Sequence, residues 1–171
     1  LYDLARTGLI DLDELVPLKT LGATRYCSIM AAFDKERSLS LRALAAISLI
    51  TSDNPVAVLL EERVGHQAVG AVLARAGIAA DRQMRAGFQE EELGARNRAN
   101  QLSAIDVIKL FELLRSERRY GPITLALENN LRNARIPALL PDEAVIAHKT
   151  GSLNGVVNDA GIVRLGVETF V

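Results

Sequence analysis

Two short runs concentrate side chains able to do chemistry. Ser52-Asp53-Asn54 presents a hydroxyl, a carboxylate and a carboxamide in consecutive positions. Lys149-Thr150-Gly151-Ser152 presents an ammonium, two hydroxyls and, between them, a residue without a side chain. A cation flanked by hydroxyls suits an anionic group such as a carboxylate, because charge-assisted hydrogen bonds are about twice as strong as neutral ones. The glycine lets a ligand come close to the backbone. Each run also has a plainer explanation. Ser-Asp-Asn ahead of Pro55 makes an ordinary helix cap, and Lys-Thr-Gly-Ser makes an ordinary polar turn between strands. Their joint significance rests on order, on a separation of about a hundred residues, and on the elements that carry them.

Those elements can be read from caps and periodicity. Ser40 caps a helix from Leu41 to about Thr51, and this helix is apolar all round (Ala43 to Ile50 holds one polar side chain, Ser48), which predicts burial in the middle of a domain. Asn54-Pro55 reads as a cap followed by proline in the first turn, opening a helix through Glu62. His66 to Ala76 forms the next helix, closed by Gly77. Asp81 to Asn100, with Glu90-Glu91-Glu92, is polar and irregular and reads as a long surface loop. Ser103 and Asp106 form a capping box for an amphipathic helix with Ile105, Ile108, Leu110, Phe111 and Leu114 on its apolar side. Pro122 to Arg135 reads as another helix, ended by Pro137 and Pro141. Ala144 to His148 reads as a strand, Lys149 to Ser152 as the turn after it, and Ala160 to Val171 as a strand or hairpin. At the other end, Leu1 to Arg6 has helical spacing, with Gly8 as its terminator but no capping residue ahead of it. The uncapped start and the unpartnered final strand predict a piece of a larger protein.

Composition removes several classes of function. The chain has 171 residues, of which 49% are hydrophobic and 24% charged, a balance that can bury a core and argues against disorder. A net charge of −1 gives no field for nucleic acid or an acidic membrane surface. Four Phe, three Tyr and no Trp leave few platforms for stacking bases. No apolar stretch approaches the length of a membrane span. Cys27 has no partner for an internal disulfide, and with only His66 and His148 beside it there is no zinc spacing. Cys27 reads as a small apolar residue, His148 as a packed strand residue, His66 as exposed, and the three glutamates as a solvated face.

Taken together, the two runs resemble the second and third signatures of the penicillin-recognising serine enzymes, the class A β-lactamases and related D,D-peptidases. The resemblance extends over the chain. Leu1 to Leu15 is similar to the tail of the nucleophile-bearing helix and the turn after it. Leu39 to Leu60 is similar to the buried helix, the Ser-Asp-Asn loop and the following helix. Asn100 to Leu114 is similar to the helix after the active-site loop, and Ala138 to Val163 to the Lys-Thr-Gly strand and its neighbour. The implied fold is an α/β (α+β) two-lobe structure, an all-helical lobe beside an antiparallel sheet flanked by helices. Residues 1–119 would form the mostly helical lobe with Ser-Asp-Asn and the loop. Residues 120–171 would form part of the α/β lobe with Lys-Thr-Gly.

The resemblance also implies roles. Ser52 and Lys149 are the catalytic candidates, Ser52 relaying a proton to the leaving nitrogen with the help of the Lys149 charge. Asn54, Thr150, Gly151 and Ser152 are the substrate-binding candidates. Thr150 and Ser152 would hold the substrate carboxylate, and Gly151 would leave room for it. The Ser152 N–H would form half of an oxyanion hole, a donor typically worth about 3 kcal/mol in the transition state. Asn54 would hold a substrate side-chain amide and the lysine of the first signature, and Asp53 would brace the loop. That first signature, Ser-x-x-Lys, occurs nowhere in these residues and is expected about three helical turns before Leu1. Glu-x-x-x-Asn, which would activate the deacylating water, is also absent from the sequence. The implied function is acyl-serine hydrolysis of a β-lactam by an exported monomer without metal or organic cofactor, located in the periplasm, cell envelope or medium. Its partner would be a small β-lactam or D-amino-acid peptide, with no nucleic acid and no membrane span. The alternatives are a D,D-peptidase or esterase, with slow deacylation, and a non-catalytic penicillin-binding-like domain.

Overall fold

The computed structural model describes residues 1–22, 28–79, 102–153 and 155–171. Around the apolar helix α2 (Leu41–Thr51), the other elements assemble. Ser40 caps it by accepting the Ala43 N–H at 3.2 Å. Leu41 and Leu44 are fully buried in one cluster with Val16, Leu18, Met30 and Val56. Leu49, farther along α2, packs against a second cluster of Phe111, Leu127, Ala147 and Ile162. Serving two cores explains why α2 has no polar face. Truncating Leu44 to alanine would cost about 2–5 kcal/mol.

The first cluster holds a small antiparallel sheet that local sequence signals did not announce. β1 (Leu15–Pro17) pairs with β2 (Ser38–Ser40), Val16 opposite Leu39. The short α1 (Tyr2–Arg6) ends at Thr7 and Gly8, as its spacing predicts. Beyond α2, α3 (Asn54–Arg75) is broken at Gly65, whose φ of 73° and ψ of 157° leave the helical region. Glycine adopts that conformation without a side-chain clash. The break falls where the sequence separates one helix through Glu62 from another beginning at His66.

α4 (Ala104–Ser116) starts with the expected capping box between Ser103 and Asp106. Its inner face is Val107, Phe111 and Leu114, whereas Ile105 and Ile108 are exposed. α5 (Gly121–Glu128) is shorter than the helix predicted to Arg135. The Asn129 side chain donates to Leu125 O at 2.8 Å, and Asn130 donates to His148 O at 3.0 Å, so the chain leaves the helix to bind the sheet.

That sheet is antiparallel, in the order β3-β4-β5. β3 is Val145–Leu153, β4 is Val156–Leu165 and β5 is Glu168–Phe170. Here the predicted turn at Lys149–Ser152 is corrected. Those residues continue the strand, Lys149 opposite Ala160 and Ser152 opposite Val157, and the reversal comes between Leu153 and Val156. Nine consecutive ladder positions outweigh the turn preference of a polar Gly-containing stretch. β3 leaves no room for a side chain at Gly161 of β4, where an added Cβ would lie 2.4 Å from the Ala147 carbonyl oxygen. Among the described residues no helix is long and apolar enough to cross a membrane.

Candidate active site

α2 and α3 are separated by two residues, and reversing the chain in so short a space requires a special conformation. Ser52 supplies it, in the left-handed region at φ 60°, ψ 41°. It is the only non-glycine residue with positive φ among the described residues. An L-residue there costs about 1–2 kcal/mol, so its neighbours must hold it. Asp53 does so from a fully buried position. One carboxylate oxygen accepts the Val56 N–H at 3.4 Å and the other the Ser28 hydroxyl at 2.6 Å. Asp53 is thus the cap of α3 as well as the expected brace of the loop. The predicted cap, Asn54, is instead the first helical residue, followed by Pro55.

Lys149 reaches this turn from β3. Its Nζ donates to Ser52 Oγ and, at 2.8 Å, to Thr150 O. Burial pulls its pKa below the usual lysine range; Arg132 adds to this, Asp159 opposes it, and Arg135 pulls the same way. A desolvated ammonium beside two guanidinium groups releases its proton more readily than a free lysine.

Further along β3, Thr150 is buried, while Gly151 and Ser152 are exposed. A Cβ added at Gly151 would meet nothing within 4 Å, so the space beside that strand end is open. The structure therefore brings Ser52 and Lys149 into contact and sets Thr150, Gly151 and Ser152 on the same strand. Asn54 lies in the first turn of α3 and makes no hydrogen bond to Ser52 or Lys149.

Sequence reasoning missed two further residues, Arg132 and Arg135. Arg135 donates to Ser152 Oγ at 2.5 Å, to Gly151 O at 3.1 Å and to Asn158 O. Arg132 reaches Thr51 O at 3.5 Å, at the end of α2. With Lys149 they form a cationic wall suited to a carboxylate. The available signal was the pair of arginines in the stretch just before Pro137, which a helix assignment to Arg135 concealed.

His148 is packed, as its strand position predicts, with Nδ1 2.8 Å from Asp159 Oδ1 and Nε2 3.1 Å from Asn133 Oδ1. His66 is exposed. Among the described residues no group of three His, Cys, Asp or Glu could hold a metal ion. Cys27 and the predicted loop with Glu90, Glu91 and Glu92 lie outside the described residues.

The arrangement can be compared with known proteins. The chain is similar to a β-lactamase from Chitinophaga pinensis, at 23% identity and a TM-score of 0.81, covering 98% of this chain and 68% of that one. It is similar to a β-lactamase from Sphaerobacter thermophilus, at 23% identity and a TM-score of 0.84, covering 98% of this chain and 66% of that one. It is also similar to a mutant of PBP-A in an acyl-enzyme complex with penicillin G, at 19% identity and a TM-score of 0.79, covering 98% of this chain and 64% of that one. The chain thus spans about two thirds of these structures, and at such identities the likeness establishes the fold, in agreement with the expected mixed α and antiparallel β architecture. Comparison with curated proteins gives no match. The model of the β-lactamase enzyme family, however, matches residues 1–171 from end to end, and the chain belongs to that family.

Proposed function

We propose that this chain carries the substrate-binding and proton-relay half of a serine hydrolase acting on β-lactam amides. The observation that carries the reading is the hydrogen bond from Lys149 Nζ to Ser52 Oγ, between the α2–α3 turn and strand β3. In this reading the lowered Lys149 pKa supports a relay in which Ser52 gives its proton to the leaving nitrogen and Lys149 resupplies it. The carboxylate beside the scissile amide binds at Thr150 and Ser152, with Arg135 adding a charge-assisted partner at the strand end. Asn54 lies two residues from Ser52 and takes the substrate's side-chain amide. The attacking serine belongs to a Ser-x-x-Lys segment, which these 171 residues do not contain. The reading places the protein outside the cytoplasm, where β-lactams and envelope peptides are encountered.

The test is covalent labelling of the full-length protein by a fluorescent penicillin, competed by unlabelled benzylpenicillin. Labelling is expected, slowed by about a hundredfold in Lys149→Ala. A folded protein that no penicillin labels would overturn the reading. A second reading, a penicillin-binding or D,D-peptidase-like enzyme, is favoured by the absence of Glu-x-x-x-Asn and by the PBP-A likeness. The lifetime of the acyl-enzyme separates the two: hydrolysis within seconds fits a β-lactamase, and a long-lived adduct fits the second.

A further inference from the structure

The segment between α5 and the one-turn helix at Ile136–Leu139 is tied to three elements at once. Toward α2, the Leu131 N–H donates to Ile50 O at 3.1 Å and Arg132 reaches Thr51 O. Toward β3, the Asn130 side chain donates to His148 O, and Asn133 meets His148 Nε2. Toward β4, the Ile136 N–H donates to Asp159 Oδ2 at 3.0 Å. His148 and Asp159 join the last two ties through their own 2.8 Å contact, with side chains only 2% and 4% exposed. Asn133 and Ile136 bracket Arg135, so the His148–Asp159 pair fixes the backbone on both sides of that arginine.

We infer that His148 is a positioning residue. Through Asp159 and Asn133 it sets the Arg132–Arg135 segment so that the Arg135 guanidinium stands over Gly151 and Ser152. The functional half of this inference rests on the hydrolase reading; the positional half does not. A buried charged or polar pair is a poor device for stability alone, because desolvating its members offsets most of their attraction. What it supplies is direction. Asp159 Oδ1 only accepts when ionised, so Nδ1 of His148 bears hydrogen. The Asn133 carboxamide can present either its oxygen or its amine to Nε2, which leaves the ring satisfied at both nitrogens. Aliphatic side chains of the same volume would fill the space and orient nothing.

The test uses His148→Gln and the milder Asn133→Ala, at an exposed residue, each alone and combined with Arg135→Ala in the full-length protein. Without ligand, NMR follows solvent exchange of the Arg135 guanidinium Nη hydrogens, which donate to Gly151 O and Ser152 Oγ, with Arg42, paired to Asp13 far from the segment, as the reference. Exchange about tenfold faster at Arg135 in both single variants, and unchanged at Arg42, is the expected result. With benzylpenicillin, the single variants should lose about tenfold in KM with kcat nearly unchanged. That loss should shrink to less than about twofold once Arg135 is already alanine, because residues acting through one partner are not additive. Unaltered exchange of the Arg135 Nη hydrogens in both variants, or an equal penicillin loss with and without Arg135, overturns the inference. Should the wild type fail to react with penicillin while Arg135 is loosened, the positioning role stands and the hydrolase reading falls.

Discussion

Replacing Ser52 separates the backbone demand at this position from the chemistry of its hydroxyl. Ser52→Ala and Ser52→Gly both remove Oγ and therefore the hydrogen bond from Lys149, so the difference between the two variants excludes that bond. What remains is conformation. Alanine must keep the left-handed φ of 60° at a cost of about 1–2 kcal/mol, which glycine escapes. Glycine in turn loses about 0.5–1 kcal/mol through the greater freedom of its unfolded chain. The glycine variant should therefore be the more stable by about 0.5–1 kcal/mol, the reverse of the order at an ordinary helical position. In a chain of this size each kcal/mol moves the melting temperature by about 2–4 °C. Equilibrium urea unfolding followed by far-UV circular dichroism measures the difference, with equal slopes expected for both variants. An alanine variant as stable as the glycine variant would refute the reasoning. Penicillin labelling should fall alike in both, since neither has the hydroxyl.

Other consequences are equally concrete. Asp53→Ala removes a helix cap and the partner of Ser28 and should destabilise by about 2 kcal/mol, whereas Asp53→Asn, which retains a capping oxygen, should lose less than half of that; chemical denaturation checks both. Gly161→Ala drives a methyl against the Ala147 carbonyl and the His148 backbone and should cost about 3 kcal/mol or more, read as a lower melting temperature. Folding lowers the Lys149 pKa, so the unfolded chain binds more protons between that lowered value and the ordinary lysine value of about 10.4. Stability should consequently rise with pH across this window, and the rise should diminish in Lys149→Met when unfolding is compared at several alkaline pH values.

Much of the scaffold was legible because its signals are local. Ser40 and Ser103 announced their helices, the uniform apolarity of α2 announced its burial, and the Ser-Asp-Asn run was placed correctly at a helix junction. The features that escaped depend on partners distant in sequence. Leu15–Pro17 becomes a strand only because Ser38–Ser40 lies beside it. Lys149–Ser152 resembles a turn until Val157–Ala160 supplies its ladder. Arg135 points toward the strand end because Asn130, Asn133 and Asp159 draw the chain out of a helix that its composition would have continued. Helix propensity there is a small preference per residue, and a handful of long-range hydrogen bonds overrides it.

Among the described residues β3 is a border of its sheet, with β4 on one side only. A border strand can accept a guest backbone, and that same openness invites a second copy of the protein to add itself. Lys149, Arg132 and Arg135 cluster around this border, so two such borders meeting face to face would bring like charges together. The cations that would attract a small anionic guest thus also discourage self-association, and neutralising them should make the protein more prone to aggregate.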